Sequence, residues 1–387
     1  MPGVDGDALL AFTRALLRAR SVHDPERGST EQPASDLVAQ QMRRFGWQPI
    51  VEEAAPGRPN VIAILEGRGA GPTLLFEGHT DVVTEGDPGA WKHDPFGGDV
   101  DAGRLYGRGA ADMKGGVAAM LFAADALHRE GFAGRLVVAA LADEEGMMLG
   151  VRDFVRRGRA AGIDAALICE PEGGEVCVAQ KGALRLQIEA SGRMAHGAMP
   201  QHGHNPIPPL AEYLLRVQNV QRGVQVRNGE HRYLGWDYLT PTVLDAGRPA
   251  QLNVIPDRAW AGIDVRTTPA TDHAALLAEL RAQLLPELSL SVIDDRPPTE
   301  TREEEPLVQA ALAAHRLILG HDAALGGVPG ATDGTILFAE AGIPLVTCGP
   351  GGKWIAHQVD EYVEVADLLA YGEIFAETAR RYFAAGR

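Results

Sequence analysis

Residues 74–116 constrain the fold more than any other stretch of the chain. There an apolar run, Leu74-Leu75-Phe76, stops at Glu77-Gly78 and is followed by His79 and Asp81, two residues apart. Side chains alternate along an extended strand, so this spacing delivers an imidazole and a carboxylate to one side of a strand end. That spacing suits a metal site. Further on, Asp112 lies in Gly-Arg-Gly-Ala-Ala-Asp-Met-Lys-Gly-Gly, just before the helical pattern of residues 117–127. The glycines let backbone approach a buried charge closely.

The surrounding pattern says what kind of fold places such a strand end. Residues 7–20 and 34–45 read as helices, 59–65 and 74–76 as strands, 115–129 as a helix and 135–142 as a strand buried on both faces. Helix 149–159 and strand 165–169 complete an alternating α/β series. Glu144 and Glu145 follow the strand 135–142, and Glu170 follows 165–169. Ligands of open α/β sheets gather outside the carboxyl ends of the strands, so these groups can converge although they are far apart in sequence. Asp112 and His357, in glycine-bearing loops, can reach the same edge.

The pattern changes near residue 181, where strand 184–190, helix 206–218, one or two strands within 251–265, helix 273–284 and strand 288–292 suggest a small inserted α+β sandwich. A proline-containing linker, 297–306, leads back to helix 306–319, strand 345–347 and helix 364–382. A chain of 387 residues is too long for one ordinary core. The expected organisation is an α/β, mixed-sheet catalytic domain in two parts, 1–180 and 295–387, around an inserted α+β domain at 181–294.

Charge and composition remove several classes. A formal charge of −16 repels phosphate backbones and anionic membranes, which argues against nucleic acid and membrane partners. No apolar run approaches the ~20 residues of a membrane span. Cys169, Cys177 and Cys348 form no C-x-x-C pair, so a disulfide framework and a thiolate zinc site are disfavoured and a cytoplasmic location is expected. Arg14 and Arg18 lie on a helix-period pattern, which reads as a surface helix rather than a signal peptide.

Crowded carboxylates repel unless cations neutralise them, and Asp, Glu and His without thiolates suit Zn²⁺, Co²⁺ or Mn²⁺. Alone, Glu144-Glu145 would read as a solvated turn and Asp112 as a helix cap. Taken together, the candidates exceed what a single zinc needs and point to two metals about 3.5–4 Å apart, bridged by a carboxylate and water. No H-E-x-x-H occurs.

Several segments, in order along nearly the whole chain, carry a resemblance: Glu77-Gly-His-Thr-Asp-Val-Val83, Trp91 with Asp94-Pro-Phe96, Leu105-Tyr-Gly-Arg-Gly-Ala-Ala-Asp-Met-Lys-Gly115, Asp143-Glu-Glu-Gly146, Glu170-Pro171 and Gly349-Pro-Gly with His357. In these the chain resembles the di-zinc metallohydrolases that include aminoacylase, acetylornithine deacetylase, succinyl-diaminopimelate desuccinylase and glutamate carboxypeptidase. The resemblance implies that His79, Asp112 and Glu170 hold one metal and that Asp112, Glu145 and His357 hold the other, with Asp112 as the bridge. It further implies that Asp81 orients His79, that Glu144 is the general base, and that the Asp112-Met113 peptide is cis.

The inserted segment resembles the same family's lid, through which such proteins dimerise. His196 in Ser-Gly-Arg-Met-Ala-His-Gly would help stabilise the oxyanion, although His202 and His204 lie in the same loop. Asn253 and Arg266 would hold a substrate carboxylate, with Thr332 near the substrate; pairing with Asp264 is the other reading of Arg266. Gly330-Ala-Thr-Asp-Gly-Thr335 departs from the family loop, since Thr335 stands where the desuccinylases carry Arg. The implied activity is hydrolysis of an N-acyl amino acid or related small carboxylate-bearing amide. The alternatives are a metallo-carboxypeptidase or dipeptidase on the same scaffold, and a non-catalytic metal-binding protein.

Overall fold

The computed structural model describes residues 3–248 and 250–386. They form two compact units. One holds the chain up to Val178 with Thr301–Gly326 and the residues from Thr332 onward; the other is Ala179–Glu300 with Gly327–Ala331.

The first unit is built on a mixed sheet. Its strands run in the order Ile50–Ala55, Arg58–Glu66, Arg135–Leu141, Thr73–His79, Ala165–Ile168, Leu345–Thr347, Val176–Gln180. Four neighbouring members, Arg135–Leu141 through Leu345–Thr347, are mutually parallel, with Leu74 opposite Leu136 and His79 opposite Leu141. Parallel central strands are covered on both faces, which is why Arg-Leu-Val-Val-Ala-Ala-Leu reads as a continuous apolar run and is buried throughout after Arg135. Because the four point the same way, their carboxyl ends open onto one edge.

Helix Lys114–Glu130 packs against this sheet and against helix Val365–Ala385. Its small residues allow the close approach: a Cβ on Gly116 would lie 2.0 Å from the carbonyl oxygen of Cys169. Helix Gly6–Arg18 buries Leu9, Phe12, Leu16 and Leu17 at helical spacing and is capped by Asp5, whose carboxylate accepts from the Ala8 N–H at 3.0 Å. Lys114 is buried, and its ammonium donates to the carbonyls of Leu16 (3.0 Å) and Ala19 (2.7 Å) at the end of that helix.

The second unit is a four-stranded antiparallel sheet in the order Tyr238–Ala246, Arg258–Thr267, Gly182–Ser191, Leu288–Arg296. One face packs on helices Ile207–Asn228 and His273–Ala282, with Leu184, Leu186, Ile188, Ile263 and Val265 meeting Leu210, Tyr213, Val217 and Leu280. The helix from Ile207 runs ten residues beyond its expected end at 218, because Val220 and Val224 continue its buried stripe. Strand Tyr238–Ala246 escapes a reading of the sequence. It is an exposed sheet edge with only Leu239 buried, so it carries no alternation, and it contains Pro241. Among the described residues no helix is long and apolar enough to cross a membrane.

Candidate metal centre

Four strand ends and two loops meet at the open edge of the first unit's sheet. Thr73–His79 ends in His79, Arg135–Leu141 leads to Glu144 and Glu145, Ala165–Ile168 to Glu170, and Leu345–Thr347 to the loop bearing His357. Asp112 arrives from the loop before helix Lys114–Glu130, across a cis Asp112-Met113 peptide.

Asp112 is the centre of the arrangement. One of its oxygens, Oδ1, lies 3.1 Å from Nε2 of His79, and the other, Oδ2, lies 3.2 Å from Nε2 of His357. Nε2 of His79 is also 3.3 Å from Glu170, and Nε2 of His357 is 2.7 Å from Glu145. The structure therefore groups His79, Asp112 and Glu170 on one side and Asp112, Glu145 and His357 on the other, sharing the Asp112 carboxylate. His79, Asp112 and Glu145, and likewise His79, Glu144 and Glu170, each bring donor atoms within 4.8 Å of one another, a span that one cation fits.

Asp81 acts on both sides of this cluster. Nδ1 of His79 is 3.0 Å from the main-chain carbonyl of Asp81 and 3.4 Å from its carboxylate. A carbonyl only accepts, so Nδ1 carries the proton and Nε2 is turned toward Asp112 and Glu170. The Asp81 carboxylate itself accepts the backbone N–H groups of Glu144 (3.2 Å) and Glu145 (3.1 Å). It thus fixes the turn that presents both glutamates, a role beyond the expected orientation of His79.

The electrostatics of the cluster follow from its burial and its crowded charges. Burial, and then the charge of Asp112, push the Glu170 carboxyl up to about 8. Hydrogen bonds to Asp112 and Glu145 raise the His357 imidazolium to about 10. Burial opposes ionisation of Asp112, yet the bonds from His357 and His79 hold it well below the usual carboxylate range. Glu144 and Glu77 are driven well above that range, in both cases first by burial. Carboxylates buried this closely favour the uptake of protons or cations, and a donor set of carboxylates and imidazoles fits Zn²⁺, Co²⁺ or Mn²⁺.

Residues outside the expected set hold the frame. Glu361 is buried, and its Oε1 accepts from the N–H groups of Gly109 (3.0 Å), Ala111 (3.1 Å) and Asp112 (3.1 Å) while its Oε2 pairs with Arg108. One carboxylate therefore shapes the loop that aims Asp112. The only hint in the sequence is an acidic residue four positions after His357. Glu77, where the apolar run stops, lies inside strand Thr73–His79 as a buried acid subject to the charges of Asp333 and His79.

Thr332, also in this unit, is buried and accepts the Gly334 N–H at 3.2 Å at the start of helix Gly334–Ala341, in which Thr335 is fully buried. The second unit carries His196, Asn253 and Arg266. His196 is exposed on a two-residue strand pairing with Val254-Ile255, and the Gly197 N–H donates to the Asn253 carbonyl at 2.7 Å, so His196 and Asn253 are neighbours. Arg266 pairs with Asp264 at 3.1 Å, the alternative that its spacing offered.

Residues 75–381 match the family described as peptidase family M20/M25/M40. The chain is 35% identical to a succinyl-diaminopimelate desuccinylase of Methylobacterium radiotolerans, with 97% of each chain covered. It is likewise 35% identical to a protein of that name from Rhodospirillum centenum, over 97% of each. Among solved structures, an M20 family metallo-carboxypeptidase of Sulfolobus solfataricus superposes with a TM-score of 0.80 at 18% identity, covering 98% of this chain and 99% of that one. A dinuclear metal-binding M20 peptidase of Bacillus subtilis gives 0.72 at 18% identity over 97% of both. At such identities the structural likeness shows the fold.

Proposed function

The chain belongs to peptidase family M20/M25/M40, and from that premise we propose that it hydrolyses the amide bond of an N-acyl amino acid or related small amide with a free carboxylate, using two divalent ions. It is a metal-dependent amide-bond hydrolase. The observation that carries the two-ion reading is the division of the Asp112 carboxylate between His79 and His357, at 3.1 and 3.2 Å. His79, Asp112 and Glu170 would hold one ion, and Asp112, Glu145 and His357 the other, with Zn²⁺ the first choice and Co²⁺ or Mn²⁺ the alternatives. When bound, the ions supply Lewis acidity toward the scissile carbonyl and the attacking water.

The chain's own residues do the rest. Glu144, buried beside His79 and Glu170, takes a proton from the attacking water and returns it to the departing amine nitrogen. Asp81 keeps His79 in the tautomer that presents Nε2. His196 donates to the oxyanion, and Asn253 and Arg266 grip the substrate carboxylate, the guanidinium exchanging its Asp264 partner for the ligand. Thr332 borders the substrate. In this reading residues 181–294 form a lid through which two copies pair; the exposed edge strand Tyr238–Ala246, with Tyr238, Val243 and Leu244 outward, supports an edge that a second copy covers. The three cysteines are free and buried, in keeping with a cytoplasmic setting.

The test is a panel of N-acetyl, N-succinyl and N-formyl amino acids and dipeptides, offered to metal-stripped protein reloaded with zinc, cobalt or manganese. The expected result is hydrolysis of acyl amino acids that disappears when the α-carboxylate is amidated. Preference for dipeptides would favour the dipeptidase alternative, and no turnover with two ions bound would favour a binding protein.

Metal uptake should also release protons. With His357 raised to about 10, Glu170 to about 8, and His79, against the effect of burial, held well above its usual range by Glu170, Asp112 and Asp81, all three carry a proton near pH 7 without metal that each must lose to ligate. Affinity therefore rises with pH, and on the order of three protons leave per chain. Calorimetric titration in buffers of different ionisation enthalpy measures this number, and an apparent enthalpy independent of buffer would sink the assignment.

A further inference from the structure

The loop that carries His357 has an internal turn, in which the Ile355 N–H donates to the Gly352 carbonyl at 3.0 Å, and is tied further by bonds to other segments. It follows strand Leu345–Thr347, and its first residues are tied by main chain: the Cys348 N–H donates to Ile168 O at 3.0 Å, the Gly173 N–H to Gly351 O at 3.0 Å, and the Gly351 N–H to Asp367 at 2.8 Å. Gly351 sits at φ 101, and Gly352 follows it. His357, at the far end, is a non-glycine residue at φ 66, a left-handed conformation that local preference does not supply. Its imidazole is half-exposed.

Between these ends the Lys353 side chain ties the loop to the strand side of its unit, while at the far end the Arg108 guanidinium donates to the His357 carbonyl at 3.3 Å. Nζ of Lys353 lies 2.8 Å from Glu172, 2.6 Å from Glu175 and 3.3 Å from Sγ of Cys177. Glu172 is nearly fully buried, and its carboxylate also accepts from the Cys177 thiol at 3.2 Å. Glu172 stands two residues after Glu170. A single ammonium therefore joins the loop that presents Glu170 to the loop that presents His357, on opposite sides of Asp112. Neither the expected ligand set nor the resembling motifs include any of these three charged residues.

We propose that Lys353, clamped by Glu172 and Glu175, is a positioning residue that presets the His357 loop for the second ion. The inference rests on the two-ion reading above. Groups that orient metal ligands typically contribute 10–100-fold to affinity, and here the group acts on a whole loop rather than on one imidazole. Without the strut, the segment from Gly352 to Trp354 loses its tie to Glu172 and Glu175, and the Arg108 bond to the His357 carbonyl is left to keep that residue near Asp112 and Glu145. The ion held by His79, Asp112 and Glu170 keeps its own frame, so the defect falls on one equivalent.

The experiment is a competitive chelator titration with zinc, supported by the visible spectrum of the cobalt-loaded protein at one and two equivalents. His357→Ala identifies which equivalent depends on this loop. Lys353→Met is expected to weaken that equivalent by about 10–100-fold and to alter its cobalt bands, leaving the other within about 3-fold. Lys353→Arg is expected to restore most of the affinity. The double variant Lys353→Met with Glu172→Gln removes the buried charge left behind; it should stay weak if the strut matters, and recovery there would overturn the proposal. Should Lys353→Met fail to fold, Lys353→Gln carries the same comparison. Wild type binding only one ion would overturn the two-ion reading. Two ions in wild type, with both equivalents unchanged or equally weakened in the variant, would overturn the strut alone.

Discussion

Glu144→Gln is expected to slow turnover by about 10²–10⁴-fold while the protein binds as much metal as wild type, the range over which a positioned general base contributes. The basis is a contrast between adjacent glutamates. Glu145 is engaged, with its carboxylate 2.7 Å from His357. Glu144 is buried, with a carboxylate oxygen within 4.8 Å of ligand atoms of His79 and Glu170. Burial first, then the charges of Glu170 and Glu145 against the opposing pull of His79, raise its proton affinity, which is what a group that accepts a proton and hands it on requires. The glutamine keeps the shape and the backbone N–H that Asp81 accepts at 3.2 Å, so the turn persists. What it loses is the ability to carry a proton. Turnover on the best substrate of the panel, set against metal content by emission spectroscopy, decides the matter: a loss under tenfold, or metal that falls with activity, places the base elsewhere. Glu145→Gln should show the opposite signature, with metal lost first.

How much of this was legible in the sequence depends on the kind of order involved. The chemistry of the centre was legible because apolar strands end where water and charge begin: His79, Glu144 and Glu170 each follow a run buried on both faces, and parallel strands then bring those ends to one edge. The inserted sheet was legible through its alternation. Edge strands were not, since Ile50–Ala55 and Tyr238–Ala246 bury little and show no apolar alternation in their residues. The frame around the centre was invisible for another reason. Glu361, Lys114 and Lys353 act through long-range bonds between segments 95 or more residues apart, and a lone acid or lysine in a loop has no local signature of such a partner. Arg266 shows the converse, because a charged residue two positions along a strand from an acid forms the pair that spacing alone anticipates.

The same kind of long-range partner makes Arg58→Ala the largest expected stability change, a loss of about 3–5 kcal/mol, the cost of breaking a buried ion pair by removing one member. Nε of Arg58 lies 2.8 and 2.9 Å from the two oxygens of Glu31, and its terminal nitrogen lies 2.6 Å from Asp143. All three side chains are less than a tenth exposed, so truncation leaves two buried carboxylates without their cation. Burial already pushes Glu31 above the usual carboxylate range, and the bond from Arg58 is what draws it down. In the variant, the folded-state value of Glu31 moves further above the unfolded one, a penalty present above the unfolded value and relieved as pH falls through the folded one. The deficit against wild type should therefore narrow as pH is lowered toward 5. Activity should fall as well, because Asp143, at φ 67, accepts the N–H groups of Met147 (3.0 Å) and Leu149 (3.3 Å) and so shapes the turn that presents Glu144 and Glu145. Arg58→Lys keeps the charge but not the fork that serves three oxygens, and should fall between the two. Urea midpoints of the three proteins at neutral and mildly acid pH are the measurement. A change under about 1 kcal/mol for Arg58→Ala, or a deficit that widens in acid, would show that these carboxylates are not held by the pairing described.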